Sequence, residues 1–272
     1  GLVVFKVGAM LYSLYISFTE WNLFGAPEFV GLKNYITIFR DPRFYESLKN
    51  TLLFIAGYLP VVLVLSMGIA LLLNSKVKRV NIFRGLFFLP VITSWVAVSM
   101  IWKGLLNPEF GIINSIIEFF GGTGPAWLQD PAFVLPSVIM VSVWKDVGFL
   151  SIIFLGGLQG ISSEYYEAAQ IDSASKWQQF RKITLPLLSP TTFYALIITI
   201  INSFQVFDQI WIMTAGEPTA DLVPVMVTEI YKNSFQYQKM GYATALSWIL
   251  FAIIIGVTIF QNVMQKKWVH YE

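Results

Sequence analysis

The feature that most constrains this chain is a set of apolar runs too long for an ordinary soluble core. Uncharged stretches cover Asn50–Leu73, Gly85–Trp102, Leu185–Phe207 and Met240–Met264. A fifth, Pro131–Ser163, is broken only by Lys145-Asp146, and a sixth, Gly1–Thr19, carries only Lys6. A helix crossing a bilayer needs about 20 mostly apolar residues, whereas helices of globular proteins usually run about 8–20. The chain is therefore expected to be an all-α membrane protein forming one transmembrane domain over residues 1–272. Six spans are expected, at about 1–19, 50–74, 84–106, 133–160, 186–213 and 240–265, with a loop at 161–184. Gly1 opens directly on an apolar run rather than on Met, so the first run is expected to be cut short.

Composition agrees where it matters. Charged residues make up 12%, against about 25% in soluble domains, which is too few to coat a water-facing surface. Aromatics reach 16%, as suits a chain with two lipid interfaces. A net charge of +2 gives no footprint for nucleic acid. Without cysteine there is no disulfide, thiol catalysis or Cys-ligated metal. The single histidine, His270, is read as a solvated tail residue rather than a metal ligand, and no catalytic residue is assigned.

Loop charge gives the orientation. Lys76, Lys78, Arg79 and Arg84 follow the second run, Lys176, Arg181 and Lys182 follow the fourth, and Lys266 and Lys267 sit in the tail. Leu106–Pro131 has no basic residue, and Thr214–Lys239 has Lys232 and Lys239. Lys33, Arg40, Arg43 and Lys49 between the first two runs weaken the contrast. The balance puts both termini and the two basic loops in the cytoplasm. Asn22–Tyr35 and Gly121–Pro131 hold Gly, Pro and nearby Trp21 and Trp127, which reads as ordered turns at an interface, and Ile112–Phe120 reads as a short surface helix.

The most informative stretch is Glu164–Pro190, EYYEAAQIDSASKWQQFRKITLPLLSP. Glu164 to Lys176 is a good helix former, with Ser162 or Ser163 as its cap and acids in its first turn. Ala168 and Ala169 leave room for another surface to approach, while Glu167 and Asp172 present polar groups. Pro186 stands where a new helix would begin. On helix physics alone this is equally a solvated connector lying on the membrane.

Glu167-Ala168-Ala169, Asp172-Ser173-Ala174 and Ile183-Thr184-Leu185-Pro186 resemble, in order and spacing, the EAA loop of ABC importer permeases. Ser173 departs from the pattern, which has glycine there, and so puts the turn after the helix in question. Phe29–Tyr35, Leu89-Pro90 at the start of the third helix, Asn107-Pro108 and Met213–Pro218 resemble the carbohydrate-type permeases, so the likeness spans nearly the whole chain. It implies the ABC importer permease fold, a coupling helix holding Glu167, Ala168, Ala169, Asp172 and Ser173, and a bacterial inner membrane location. The implied partners are a second homologous permease subunit, two ATPase subunits and an extracytoplasmic sugar-binding protein. ATP and Mg would bind at the partner ATPases, with no cofactor on this chain.

Ionisable groups inside a span suggest function. Ser142, Lys145, Asp146 and Phe149 fall at one helical spacing. Lys145 and Asp146 either pair with neighbouring helices or a partner subunit, or line the pathway. Asn202, Gln205 and Gln209 share a face with Asp208 beside it, though polar side chains also glue membrane helices together. Val91, Trp95, Val98 and Trp102 form a stripe, with Trp102 read as an interface anchor. Sugars are held by aromatic faces against C–H surfaces and by amides and carboxylates on hydroxyls. Trp95, Ser142, Lys145, Asp146, Asn202, Gln205 and Asp208 are therefore the candidate pathway residues for a di- or oligosaccharide. Glycerol 3-phosphate is the alternative cargo, since Lys145 suits a phosphate.

Other classes fit less well. No G-x-x-x-x-G-K-[ST] loop is present, so this chain does not itself hydrolyse ATP. An intramembrane enzyme would need His, Cys or paired carboxylates, or motifs such as H-E-x-x-H or G-x-S-x-G. A secondary transporter would be expected to show an internal repeat.

Overall fold

The computed structural model describes residues 1–74, 80–217, 219–266 and 269. Expectations resting on Lys76, Lys78, Arg79, the Arg84 side chain, Pro218, Lys267 and His270 lie outside the described residues.

Three helices are long and apolar enough to cross a membrane: α3 (Pro42–Asn74), α7 (Pro131–Gly160) and α13 (Met240–Gln265). Between and before them lie α1 (Val3–Ser17), α2 (Lys33–Ile38), α4 (Val80–Ile92), α5 (Trp95–Leu105) and α6 (Ile112–Phe119). After α7 come α8 (Ser163–Ile171), α9 (Lys176–Leu187), α10 (Ser189–Phe204), α11 (Asp208–Thr214) and α12 (Met226–Tyr231). Strands β1 (Thr19–Glu20) and β2 (Glu28–Phe29) form one antiparallel pair.

Two expected spans are not continuous helices. The run at 84–106 is α4 and α5 meeting at 105°. Pro90 takes away a helical donor, the Thr93 hydroxyl donates back to the Leu89 carbonyl at 3.2 Å, and Ser94 caps a fresh helix by accepting from Ala97 N at 3.2 Å. The run at 186–213 stops at Phe204 and restarts at Asp208. There Ser203 donates to the Thr199 carbonyl at 2.6 Å, and i→i+3 bonds from Gln205 N and Val206 N close the last turn. Pro186 stands early in a single α-helical turn, Leu185–Leu187, but the span itself starts later: α9 and α10 meet at 61° around Leu188, and Pro190 takes the early position in α10. Counting each bent pair as one span gives five among the described residues, with Val3–Ser17 a shorter apolar helix.

The bundle has two cores. In one, α3 packs along α7 through Phe54, Tyr58, Val62, Val138, Val141 and Phe154. Close approach there is backbone-limited: a Cβ on Gly148 of α7 would collide with the Phe87 carbonyl of α4. In the other, α13 packs on α2 and α10 through Ile38, Phe204, Leu246 and Leu250. Gly241 abuts the Thr19 carbonyl, and Asn34 donates to the Ser17 and Thr19 carbonyls at 2.9 and 2.8 Å. Buried hydroxyls are largely satisfied by the preceding turn, as with Ser47, Thr51 and Ser151, which suits a solvent offering no hydrogen bonds.

The segments read from loop charge as external meet one another. Arg43 donates to the Asp221 carbonyl at 2.8 Å and stands 3.9 Å from Glu229. Lys232 pairs with Asp221 at 2.5 Å, Lys33 with Glu20 at 2.7 Å, and Lys103 with Glu217 at 3.5 Å. Thr219 donates to the Leu128 carbonyl, and Trp127 donates to Asn114 at 2.6 Å. Of the basic residues that blurred the charge contrast, Lys33, Arg43 and Lys232 are thus held by nearby acids, while Arg40, Lys49 and Lys239 make no ion pair among the described residues. Lys176, Arg181 and Lys182 make no ion pair among the described residues.

Candidate functional site

A cavity of about 510 Å³ opens between α3, α5, α7, α10 and α11. Five of the seven candidate pathway residues line it: Trp95, Asp146, Asn202, Gln205 and Asp208. The helix breaks assemble them. Trp95 is the first residue of α5 because Ser94 caps there. Gln205 lies in the link between α10 and α11, and Asp208 begins α11. The Asn202–Gln209 face expected of one continuous helix is therefore divided, yet both halves still face the same space.

Lys145 and Ser142 are elsewhere. Ser142 is buried, and its hydroxyl has no partner among the described residues. Lys145 is only 5% exposed. Its ammonium sits 4.8 Å from the Trp95 ring centroid and donates to the Val91 carbonyl at 3.4 Å. That carbonyl is in the last turn of α4, where helical acceptors lose their donors and the helix dipole is negative. A buried cation there is stabilised by the ring face and the carbonyl together. Lys145 thus spans the α4–α5 bend from behind Trp95. It does not pair with Asp146, whose carboxylate accepts from Tyr58 at 2.7 Å.

Sequence reasoning missed Tyr58, Phe54, Phe149, Thr199 and Phe207 as cavity residues. Phe54 and Tyr58 stack at 5.3 Å between centroids. A signal for Tyr58 existed: Thr51, Tyr58 and Ser66 put polar groups at spacings of seven and eight along an otherwise apolar run, the repeat of one helix face. Trp102, read as an interface anchor, instead packs on the core and edge-on to Trp144 at 5.5 Å.

The second set of expected residues lies beyond the end of α7. Ser162 caps α8 by accepting from Glu164 N at 3.3 Å. Glu167, Ala168, Asp172 and Ser173 are exposed and Ala169 half-buried, and α8 buries no residue. The helix ends at Ile171, earlier than Lys176. Ala174 N donates to the Ala169 carbonyl at 2.8 Å and Ser173 N to the Gln170 carbonyl at 3.0 Å, a Schellman close. Ser173 holds the left-handed position with φ of 58°, where glycine is favoured. Serine keeps the turn, at a backbone cost. Ser175 and Gln178 then form a capping box that starts α9, and Tyr166 reaches Thr184 at 3.0 Å, tying α8 to α9. Tyr165, Ile171 and Trp177 in the same stretch are exposed as well.

Comparison with known proteins gives this arrangement a family. Residues 65–270 match the family described as "Binding-protein-dependent transport system inner membrane component". The chain is 36% identical over 276 residues to "Probable ABC transporter permease protein YesP" of Bacillus subtilis, covering 100% of this chain and 89% of that protein. It is 30% identical to "Probable starch degradation products transport system permease protein AmyD" of Thermoanaerobacterium thermosulfurigenes, covering 98% and 90%. A crystal structure of a bacterial ABC transporter involved in import of the acidic polysaccharide alginate superposes with a TM-score of 0.87 at 26% identity, covering 98% of this chain and 91% of that one. The chain accordingly belongs to the binding-protein-dependent inner membrane components: it is a permease subunit of an ABC importer, with no catalysis of its own.

Proposed function

We propose that this chain forms half of the pathway for a di- or oligosaccharide across a bacterial inner membrane, with both termini cytoplasmic. The observation that carries the reading is the cavity, where three amides (Asn202, Gln205 and Gln209) and two carboxylates stand among aromatic faces. Asp146 lies about halfway along α7, so the cavity is about 21 Å along the axis from the helix end, at 1.5 Å per residue. Relatives named for starch degradation products and alginate support a saccharide cargo.

In this reading α8 is the coupling helix. Exposed Glu167 and Ala168, half-buried Ala169 and exposed Asp172 at the helix end meet an ATPase subunit, and Ser173 sets the turn that leads into α9. A second permease completes the pathway, two ATPases bind ATP and Mg, and an external binding protein delivers the sugar. ATP-driven closure brings the two loops together and turns the cavity outward, and hydrolysis resets it. The unpaired Lys176, Arg181 and Lys182 beside this loop support a cytoplasmic placement. Glycerol 3-phosphate drew its support from Lys145, whose ammonium stands behind Trp95.

The test is uptake by the complete importer carrying Trp95→Ala or Asn202→Ala. Both variants should assemble and lose at least tenfold in uptake. Normal uptake in both would refute the cavity as the pathway.

A further inference from the structure

Charge is divided unevenly around the cavity. Asp146 and Asp208 both line it, and no Lys or Arg does among the described residues. The one nearby cation, Lys145, is buried and engaged with Trp95 and the Val91 carbonyl. Asp146 is oriented by Tyr58, which donates to Oδ2 at 2.7 Å, leaving Oδ1 for another donor. Asp208 makes no ion pair among the described residues. Thr199 lines the cavity at 3% exposure, and its hydroxyl has no partner among the described residues. Buried polar atoms in native structures are nearly always paired, and Ser99 and Ser142, away from the cavity lining, are in the same condition.

We infer that this cavity accepts uncharged or amino-bearing saccharides and rejects anionic ones, with Asp146 and Asp208 as the discriminating residues. A carboxylate or phosphate on the cargo would meet the two carboxylates of the lining, while the one nearby cation, Lys145, stays outside the lining and is engaged with Trp95 and the Val91 carbonyl. A hydroxyl can donate to either carboxylate, and a protonated amine can do so more strongly. Discrimination of this kind works by a built-in repulsive element rather than by added attraction. The inference rests on the saccharide reading above and names the charge class within it.

The test uses the complete importer in nanodiscs, without its external binding protein, so that selection upstream does not enter. Binding of maltotriose, the glucosamine trimer and trigalacturonic acid is compared. The neutral and amino trimers should bind at least tenfold more tightly than the uronic one. Asp146→Asn with Asp208→Asn should narrow that gap at least fivefold, and Asp208→Asn alone, at a residue free of ion pairs, should narrow it in part. Equal binding of neutral and uronic trimers by the wild type, or a gap unchanged in both variants, would overturn the charge inference alone. Failure of every trimer to bind would overturn the saccharide reading as well.

Discussion

The cavity and the α8 loop are built by different means. The cavity draws Tyr58, Trp95, Asp146, Asn202 and Asp208 from α3, α5, α7, α10 and α11, so no segment of under 100 residues contains it. The loop is made locally. Ser162 caps α8, a Schellman turn ends it, and Ser175 with Gln178 starts the next helix, all within 17 residues. A tertiary site should fail when distant packing fails, whereas a local one should survive it.

The largest effect that bears on this contrast is expected at Gly148. A side chain there drives α7 off the Phe87 backbone, and overpacking of this kind costs about 1–3 kcal/mol or more. Gly148→Val should lower the melting temperature of the assembled importer and abolish uptake. An importer as stable as wild type would break the account of how the cavity wall is held.

Next comes Lys145→Met, which keeps the bulk and removes the cation. Loss of the ring contact and of the Val91 carbonyl bond should cost about 1–2 kcal/mol, or roughly five- to thirtyfold in uptake. The complex should remain assembled, and Lys145→Arg should restore part of the loss. A change in the half-saturating cargo concentration with the maximal rate preserved would sharpen the role of Lys145 as a residue that positions Trp95.

The loop should respond more mildly. Ser173→Gly relieves a left-handed serine, and such relief is worth roughly 1 kcal/mol. Calorimetry should show slightly greater stability with uptake retained. Destabilisation would mean that the serine side chain does more than occupy the turn.

The smallest effects concern the ion pairs around Asp221 and Glu229. Lys232, by hydrogen bond and charge, holds the Asp221 carboxyl below its ordinary value, with a lesser contribution from Arg43. A depressed folded value stabilises above the unfolded one, about pH 4, and is lost as pH falls through the folded value. Because Asp221 is largely exposed, screening leaves the effect small. Glu229 runs the other way, since burial raises it despite Arg43 and Lys232, so protonation above its ordinary range favours the folded form. Asp221→Asn should flatten the acid limb of stability below about pH 4, and Glu229→Gln should remove the gain on milder acidification. Identical acid profiles for the two variants would refute the opposite signs.

What could be read in the sequence follows the same division. Run length found α3, α7 and α13, because a bilayer imposes a length that composition records. The α8 motif was visible because caps and turns are written in adjacent residues. The breaks at Thr93-Ser94 and Gln205–Phe207 were not anticipated, although Pro90, Ser94 and Ser203 were in view. A hydrophobicity count averages over a single cap, and the bend depends on which backbone groups α7 can satisfy. Lys145 shows this limit most plainly. Its spacing put it on one face with Asp146, and only the packing of α4 against Gly148 shows it turned toward Val91 and Trp95.

The central claim is that energy enters at the exposed α8 loop while cargo passes at the cavity. The most direct measurement is cargo-stimulated ATP hydrolysis by the purified importer carrying Glu167→Lys. The account predicts that the subunits still fold, that the α8 turn is kept, and that stimulation is abolished. Hydrolysis and uptake both at the wild-type level would contradict it.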